Sequence, residues 1–398
     1  MIPIIKPVMD EREVEAVRRT LLSGWVTQGP EVKAFENEFS SYVGSKHACA
    51  ISSCTTGLHL ALKAVGVGKG DEVITVSHTF IATANSIRYC RAEPVFVDID
   101  PDTYNINPEL IESSLSEKTR AILCVHQMGM PCDLKKILQI ARENNLPVIE
   151  DAACAIDSEI NWKGNWEKIG KPHGDIACFS FHPRKIITTG EGGMLTTNNS
   201  EYDKKFRLWR QHSMSVPDTV RHQAKSVIFE EYTDLGYNYR MTDIQASIGR
   251  VQLLRLPEII ASRQSLAKKY FEQLTDIPGL DLPFEPEWAK SNWQSFCIRL
   301  PEGLNQKGLM QKLLEKGIST RRGIIPIHQE RAYELEKWSC GTRQKDCNCS
   351  VNRCKKLEES EKAGVKAIIL PLYPHLTESE QNNIIVEITA FCKKKINL

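Results

Sequence analysis

Cys178-Phe179-Ser180-Phe181-His182-Pro183-Arg184-Lys185, running on to Gly190-Glu191-Gly192-Gly193, joins an apolar run, a hydroxyl, a lysine and a glycine turn. Reading outward, Asp151 of Glu150-Asp151-Ala152-Ala153 stands thirty-four residues before Lys185, at the end of another apolar run. More such runs follow the same rhythm: Ala48–Ser52, Glu72–Val76, Pro94–Val97, Ala121–Val125, Pro147–Glu150, Ile176–Phe181 and Met194–Thr197. Helical patterns, among them Leu58–Ala64 and Leu134–Glu143, lie between several of them. Short strands alternating with helices predict an α/β domain whose largely parallel sheet is covered on both faces. In such sheets ligands gather at the carboxyl ends of the strands, where Asp151 and the loop carrying Lys185 both fall.

Beyond this region, Thr242-Asp243-Ile244-Gln245 has the capping-box pattern that opens a helix. The helix is expected to run to about Leu274, with a break at Leu256-Pro257. A strand over Ser295–Leu300 and helices over Lys307–Lys316 and Glu378–Lys393 complete a smaller α+β unit. We expect a large domain over residues 1–255, whose extreme N-terminus packs on the small domain, and a small domain over 256–398. A Cys-rich insertion is placed at about 338–356 in the latter.

Three features of the large domain combine into one chemistry. Ser52-Ser53-Cys54-Thr55-Thr56-Gly57 follows a strand and opens an apolar helix, so its amides, hydroxyls and the positive end of the helix dipole suit a phosphate. Taken alone it reads better as a plain helix cap. Ser180 is a second phosphate donor in this reading. Asp151 reads either as a helix N-cap or as the partner of a buried cation such as a pyridinium nitrogen. Lys185 reads as a solvated surface lysine or as an amine that forms a Schiff base, a role for which burial and cationic neighbours would depress its pKa. The glycine turn favours the second reading, since it lets backbone approach a ligand. A lysine, an aspartate and a phosphate cradle are what a protein must supply to pyridoxal 5'-phosphate (PLP).

Bulk properties exclude other classes. With 398 residues, 41% hydrophobic and 25% charged, the chain has an ordinary globular composition and length enough for two domains. Its 51 Lys and Arg nearly cancel its 50 Asp and Glu, so nothing draws it to nucleic acid or a membrane surface. It has no long apolar run and no signal-peptide pattern, so a cytoplasmic protein is expected. No Gly-X-Gly-X-X-Gly, Walker A loop or His-Glu-X-X-His occurs. Most of the 13 cysteines lie singly in apolar runs as small hydrophobes. Cys340, Cys347, Cys349 and Cys354 cluster, but their spacing is a poor zinc pattern. No metal is expected, and the thiols are read as free or redox-paired.

The chain resembles the DegT/DnrJ/EryC1/StrS family of nucleotide-sugar aminotransferases over about residues 2–392. The resemblance rests on Gly24-Trp25-Val26-Thr27-Gln28-Gly29-Pro30, Gly70–Ile74, Thr79–Asn85, Pro94–Asp98, Glu150–Ala153, Ser180–Gly193, Gly236–Met241 and Leu370–Pro374. It implies an aspartate aminotransferase-like fold (PLP fold type I). It makes Lys185 the Schiff-base lysine, Asp151 the pyridinium partner, Phe80 the ring stacked on the cofactor, and Thr55, Thr56 and Ser180 phosphate ligands. Asn238 matches an asparagine that reaches the phosphate from a neighbouring subunit, which implies a homodimer with composite active sites. The implied reaction moves an amino group from glutamate to a keto-sugar nucleotide, in amino-sugar, surface-polysaccharide or antibiotic-sugar biosynthesis. The alternatives are a PLP-dependent sugar dehydratase, an amino-cyclitol aminotransferase, or a non-enzymatic regulator on the same fold. Relatives with histidine at the lysine position are dehydratases, so lysine favours amino transfer. His182, Glu191, Arg210, His212, Arg321, Arg322 and His328 fall in segments that line the substrate site in relatives. Of these, His182, Glu191, Arg321, Arg322 and His328 are the substrate-binding candidates, with Arg321-Arg322 matched to a diphosphate.

The sequence departs from the family pattern at three places. Cys154 replaces the usual glutamine or histidine near the cofactor ring, the Asn161–His173 stretch is long, and the cysteine cluster is inserted.

Overall fold

A computed structural model describes residues 1–216, 226–341 and 353–396. Its centre is a seven-stranded sheet built from β1 (His47–Ile51), β2 (Glu72–Val76), β3 (Glu93–Val97), β4 (Thr119–Val125), β5 (Val148–Asp151), β8 (Ile176–Ser180) and β9 (Gly193–Thr197). The spatial order is β1-β9-β8-β5-β4-β2-β3. The pairs from β8 through β5, β4 and β2 to β3 are parallel, while β9 runs antiparallel to both of its neighbours. The expectation of a largely parallel sheet therefore stands, with one reversed strand near an edge.

Both faces of the sheet are buried, which is why its strands read as continuous apolar runs. On β1, Ala48 and Ala50 join one hydrophobic cluster while Cys49 and Ile51 join the opposite one. The second cluster is closed by α3 (Cys54–Ala64) and α6 (Ser200–Trp209), through Leu58, Leu62, Phe206 and Trp209. The first is closed by α2 (Pro30–Val43), α5 (Leu134–Glu143) and the first half of α7 (Asp243–Leu274). Two further helices, α1 (Glu11–Ser23) and α4 (Ala82–Tyr89), flank the sheet.

Helix α7 corrects the expected break at Pro257. The helix opens on the Thr242–Gln245 capping box and continues through the proline. Proline removes one backbone hydrogen bond, but Leu256, Ile259 and Ile260 on either side are buried in the sheet cluster and hold the helix together. Its far end belongs elsewhere: Ala267, Tyr270 and Leu274 pack in a separate cluster. That cluster covers a three-stranded antiparallel sheet of β11 (Phe296–Arg299), β12 (Arg321–Arg322) and β13 (Ala367–Leu370). It is completed by α8 (Gln306–Glu315) and α10 (Glu378–Ile396). Ile2 also packs there, and its amide and carbonyl bond to Gly317 and Ser319.

The long Asn161–His173 stretch forms a hairpin of β6 (Glu159–Trp162) and β7 (Asn165–Lys168), with β10 (Ala289–Lys290) beside it. Lys163 and Gly164 take positive φ of 53° and 88°, as a two-residue primed turn requires. Cys340 and Cys354 are buried with Phe96, Tyr333 and Leu357, before α9 (Glu358–Lys366). Cys347 and Cys349 lie outside the described residues. Among the described residues, no group of three or more His, Cys, Asp or Glu could hold a metal, and no helix is long and apolar enough to cross a membrane.

Candidate active site

Strand register brings the predicted residues together. Asp151 ends β5 opposite Cys178 of β8. Ser180 ends β8 opposite Gly193, and Gly193 in turn faces Ile51, the last residue of β1. The segment after β1, the carboxylate of β5 and the loop after β8 thus meet at one end of the sheet.

After β1, Ser53 caps α3 by accepting from the Thr56 amide at 3.2 Å, and the Thr56 hydroxyl returns to Ser53. The Cys54 and Thr55 amides, at the first two helical positions, have no acceptor within the helix. Thr55, Thr56 and Ser180 are half-buried around that helix end. Within the glycine turn, Gly193 has a structural task of its own. A Cβ on Gly193 would lie 2.7 Å from the Cys54 nitrogen and 2.8 Å from the Phe179 carbonyl. The glycine admits the protein's own backbone and seats α3 against the sheet.

Asp151 is only 5% exposed. It accepts from the Thr83 hydroxyl at 2.8 Å and the Ala153 amide at 3.2 Å, both neutral donors. Burial pushes its carboxyl above the usual range despite those bonds and the nearby Lys185. Among the described residues no cation forms an ion pair with this carboxylate, although Lys185 and His126 lie near enough to act on it. Close by, on the loop that leads into Thr83, Phe80 leaves 65% of its surface exposed. A buried acid, a helix end with open amides, an exposed ring and a lysine are the donor set that suits PLP, so these residues fit the cofactor.

Lys185 reverses one expectation. Burial works to lower its pKa, but Cys154, Cys54 and Asp151 outweigh burial and raise it. Its Nζ is 3.1 Å from the Cys154 sulfur. Arg184, adjacent in sequence, is exposed; its carbonyl takes a 2.6 Å bond from Gln294 Nε2. Thr83 lies in a stretch that carries the family resemblance and Cys154 directly after one, but their contacts are made across the fold and have no local signal. Asn292 and Gln294 were missed; their one trace is the polar Ser291-Asn292-Trp293-Gln294 run leading into an apolar strand.

The substrate-binding candidates divide. His182 Nε2 and Glu191 Oε1 lie 3.9 Å apart on the loops flanking Lys185, both accessible. Arg321 is largely accessible, with Arg184 and Cys154 as neighbours, and the partial burial of its guanidinium together with Arg184 presses its pKa down. Arg322, next along β12, lines a separate groove of about 530 Å³ with Lys307, Gln311, Ser319 and Thr320. Successive strand residues face opposite ways, so the adjacent arginines do not form one fork. His328 leaves the set: it is fully buried, with Ser77 Oγ at 2.7 Å on Nδ1 and Glu361 Oε1 at 3.1 Å on Nε2. Arg210 is likewise buried, tied to Glu36 and the Ala50 carbonyl, whereas His212 is exposed. Asn238 is exposed between Tyr237 and Tyr239, which stack at 4.8 Å and turn toward His59.

This sheet, with Lys185 and Asp151 at its carboxyl end and a small α+β domain beside it, is the fold of the fold type I PLP aminotransferases. The chain belongs to the DegT/DnrJ/EryC1/StrS aminotransferase family, whose model matches residues 7–389. That makes it a PLP-dependent transaminase. It is 36% identical over 388 residues to the spore coat polysaccharide biosynthesis protein SpsC of Bacillus subtilis, covering 96% of this chain and 95% of SpsC. Among solved structures it is similar to the aminotransferase TlmJ from Streptoalloteichus hindustanus, with TM-score 0.87, 31% identity and both chains fully covered. It is also similar to Helicobacter pylori PseC, an aminotransferase involved in the biosynthesis of pseudoaminic acid, with TM-score 0.86, 26% identity and 99% of each chain covered.

Proposed function

We propose that this enzyme takes an amino group from glutamate and delivers it to a keto-sugar carried on a nucleoside diphosphate. The observation that carries the proposal is Asp151 at the end of β5 beside Lys185 on the loop after the adjacent parallel strand β8, with the accessible Arg321 and Lys185 both neighbours of Cys154. PLP, when bound, supplies an electron sink for a carbanion at the substrate carbon. The protein's residues do the rest. Asp151 keeps the ring nitrogen protonated, Phe80 covers the ring, and Thr55, Thr56 and Ser180 hold the phosphate. Lys185 carries the proton between carbons. Arg321 takes an anionic group of the substrate, with His182 and Glu191 beside it. In this reading residues 1–255 hold the cofactor, and the small domain over 256–398 contributes Arg321. Asn238 faces out of its own chain, so the partner subunit's Asn238 completes the phosphate site in a homodimer.

The test is a panel of 3-keto and 4-keto nucleotide sugars incubated with glutamate and PLP, read by mass for the amino product. Wild type forms one aminated sugar, and Lys185→Ala loses at least 10²–10⁴-fold in rate, about what a positioned acid–base group contributes. A dehydrated product in place of an aminated one overturns the reading. So does a protein that stays colourless with added PLP.

A further inference from the structure

We propose that Cys154 is a positioning residue for Lys185, holding its amine at the strand ends and keeping it protonated while it is not bonded to cofactor. The proposal rests on the reading of Lys185 above and deepens it. The 3.1 Å contact between Cys154 Sγ and Lys185 Nζ is fixed from both sides by a single segment. Asn292, fully buried, donates through Nδ2 to the carbonyls of Cys154 at 2.8 Å and Ile156 at 2.7 Å. Two residues on, Gln294 donates to the Arg184 carbonyl at 2.6 Å, next to Lys185. That segment is held in turn by Arg263 of α7, whose guanidinium donates to the Trp293 carbonyl at 2.8 Å and the Gln294 carbonyl at 2.6 Å. Arg263 is 1% exposed, and burial alone pushes its pKa down to about 9. Ordering a cation in this place is costly, so the Asn292–Gln294 bracket is a built feature of the fold.

The chemistry of the pair follows from sulfur. A neutral carboxamide offers an ammonium only a dipole, whereas a thiol can lose its proton and give an ammonium a full counter-charge. The surrounding groups act in both directions. Asp151 and Cys54 face Lys185 from β5 and α3 and favour its cation. On the other side, Arg321 of β12 brings positive charge toward the Cys154 sulfur with Arg184 as its own neighbour, and His182 lies on the lysine's own loop. The lysine is thereby charged and held in place when free, ready to hand a proton to a substrate carbon.

Two measurements test this. The first follows the visible band that appears when Lys185 captures PLP, as a function of pH, in wild type, Cys154→Ala and Cys154→Ser. Capture requires a neutral amine. Without the sulfur the midpoint moves to lower pH by about half a unit to one unit, and capture at pH 7 quickens about three- to tenfold. Serine falls between the two. A merely structural role lowers the final band and leaves the midpoint in place, and superimposable profiles overturn the proposal. The second measures iodoacetamide alkylation of Cys154 in cofactor-free protein by peptide mass mapping. Lys185→Ala slows it several-fold, while Lys185→Arg, which keeps a cation, does not. Equal rates in wild type and Lys185→Ala overturn the contact. If wild type captures no PLP, the functional reading fails, and the alkylation comparison still decides whether the pair exists.

Discussion

Glu150 and Asp151 are neighbours on β5, and both are buried, yet they face opposite sides of the sheet and live under opposite electrostatics. Glu150 is satisfied within the chain: His126 Nε2 lies 3.0 Å away and the Gly174 amide donates at 2.8 Å. The Cys132 amide donates to His126 Nδ1 at 3.0 Å, which places the ring proton on Nε2, toward Glu150. Burial opposes the charge on Glu150, but these donors overcome it and hold its carboxyl below the usual range. Asp151 has the neutral Thr83 hydroxyl, Ala153 amide and, more distantly, Cys54 thiol, and there burial wins. Two carboxylates one residue apart thus differ in whether their donors or their burial prevail. The difference lies in what the fold brings to each face.

The largest test of this contrast is Glu150→Leu. It leaves the His126 and Gly174 donors buried without an acceptor and is expected to cost about 3–5 kcal/mol, read by denaturant unfolding. Because the Glu150 pKa is depressed, its contribution in wild type is present above the ordinary carboxylate range. It is lost as pH falls through the lowered value, so the gap between wild type and variant should narrow in acid.

Thr83→Val comes next. It removes a hydrogen bond to a buried charge and should cost about 2 kcal/mol at neutral pH, with PLP retention weakened in parallel. A variant that binds PLP as tightly as wild type would show that Thr83 does not orient Asp151.

The smallest expected effect has the opposite sign. The Asp151 pKa is raised, so its charge lowers the stability of the cofactor-free protein as pH climbs from the ordinary aspartate range through the raised value, and the cost persists above it. Asp151→Asn should therefore stabilise the cofactor-free protein at pH 7, seen as a higher melting temperature. The same variant should lose bound PLP on dialysis. A loss of stability without cofactor would end the comparison, since Asp151 would then be as well satisfied as Glu150.

Much of the fold was legible in sequence because buried parallel strands are apolar throughout, and each strand expected from residue 47 to 200 formed within a few residues of its place. The Thr242–Gln245 capping box was read at the right position because capping is local. Pro257 misled because proline propensity is local too, whereas the packing of Leu256, Ile259 and Ile260 that keeps α7 continuous is not. In the site, the Lys185 loop, Asp151 and the Ser53 cap were all visible as strand-end motifs. Arg322 and His328 were not separable from Arg321, because facing and burial are set by β12 register and by Ser77 and Glu361, which are distant in sequence.

The sequence by itself determined the class of sheet, the strand ends on which chemistry falls, and the cofactor they suit, since each depends on short-range pattern and residue type. Only the tertiary structure decided that donors satisfy Glu150 while burial prevails at Asp151, and which of two adjacent arginines lies near Cys154. It alone showed that the lysine rests on a cysteine bracketed by Asn292 and Gln294. Those outcomes depend on burial and on partners contributed by remote segments, and both come into being only when the sheet register and domain packing are set.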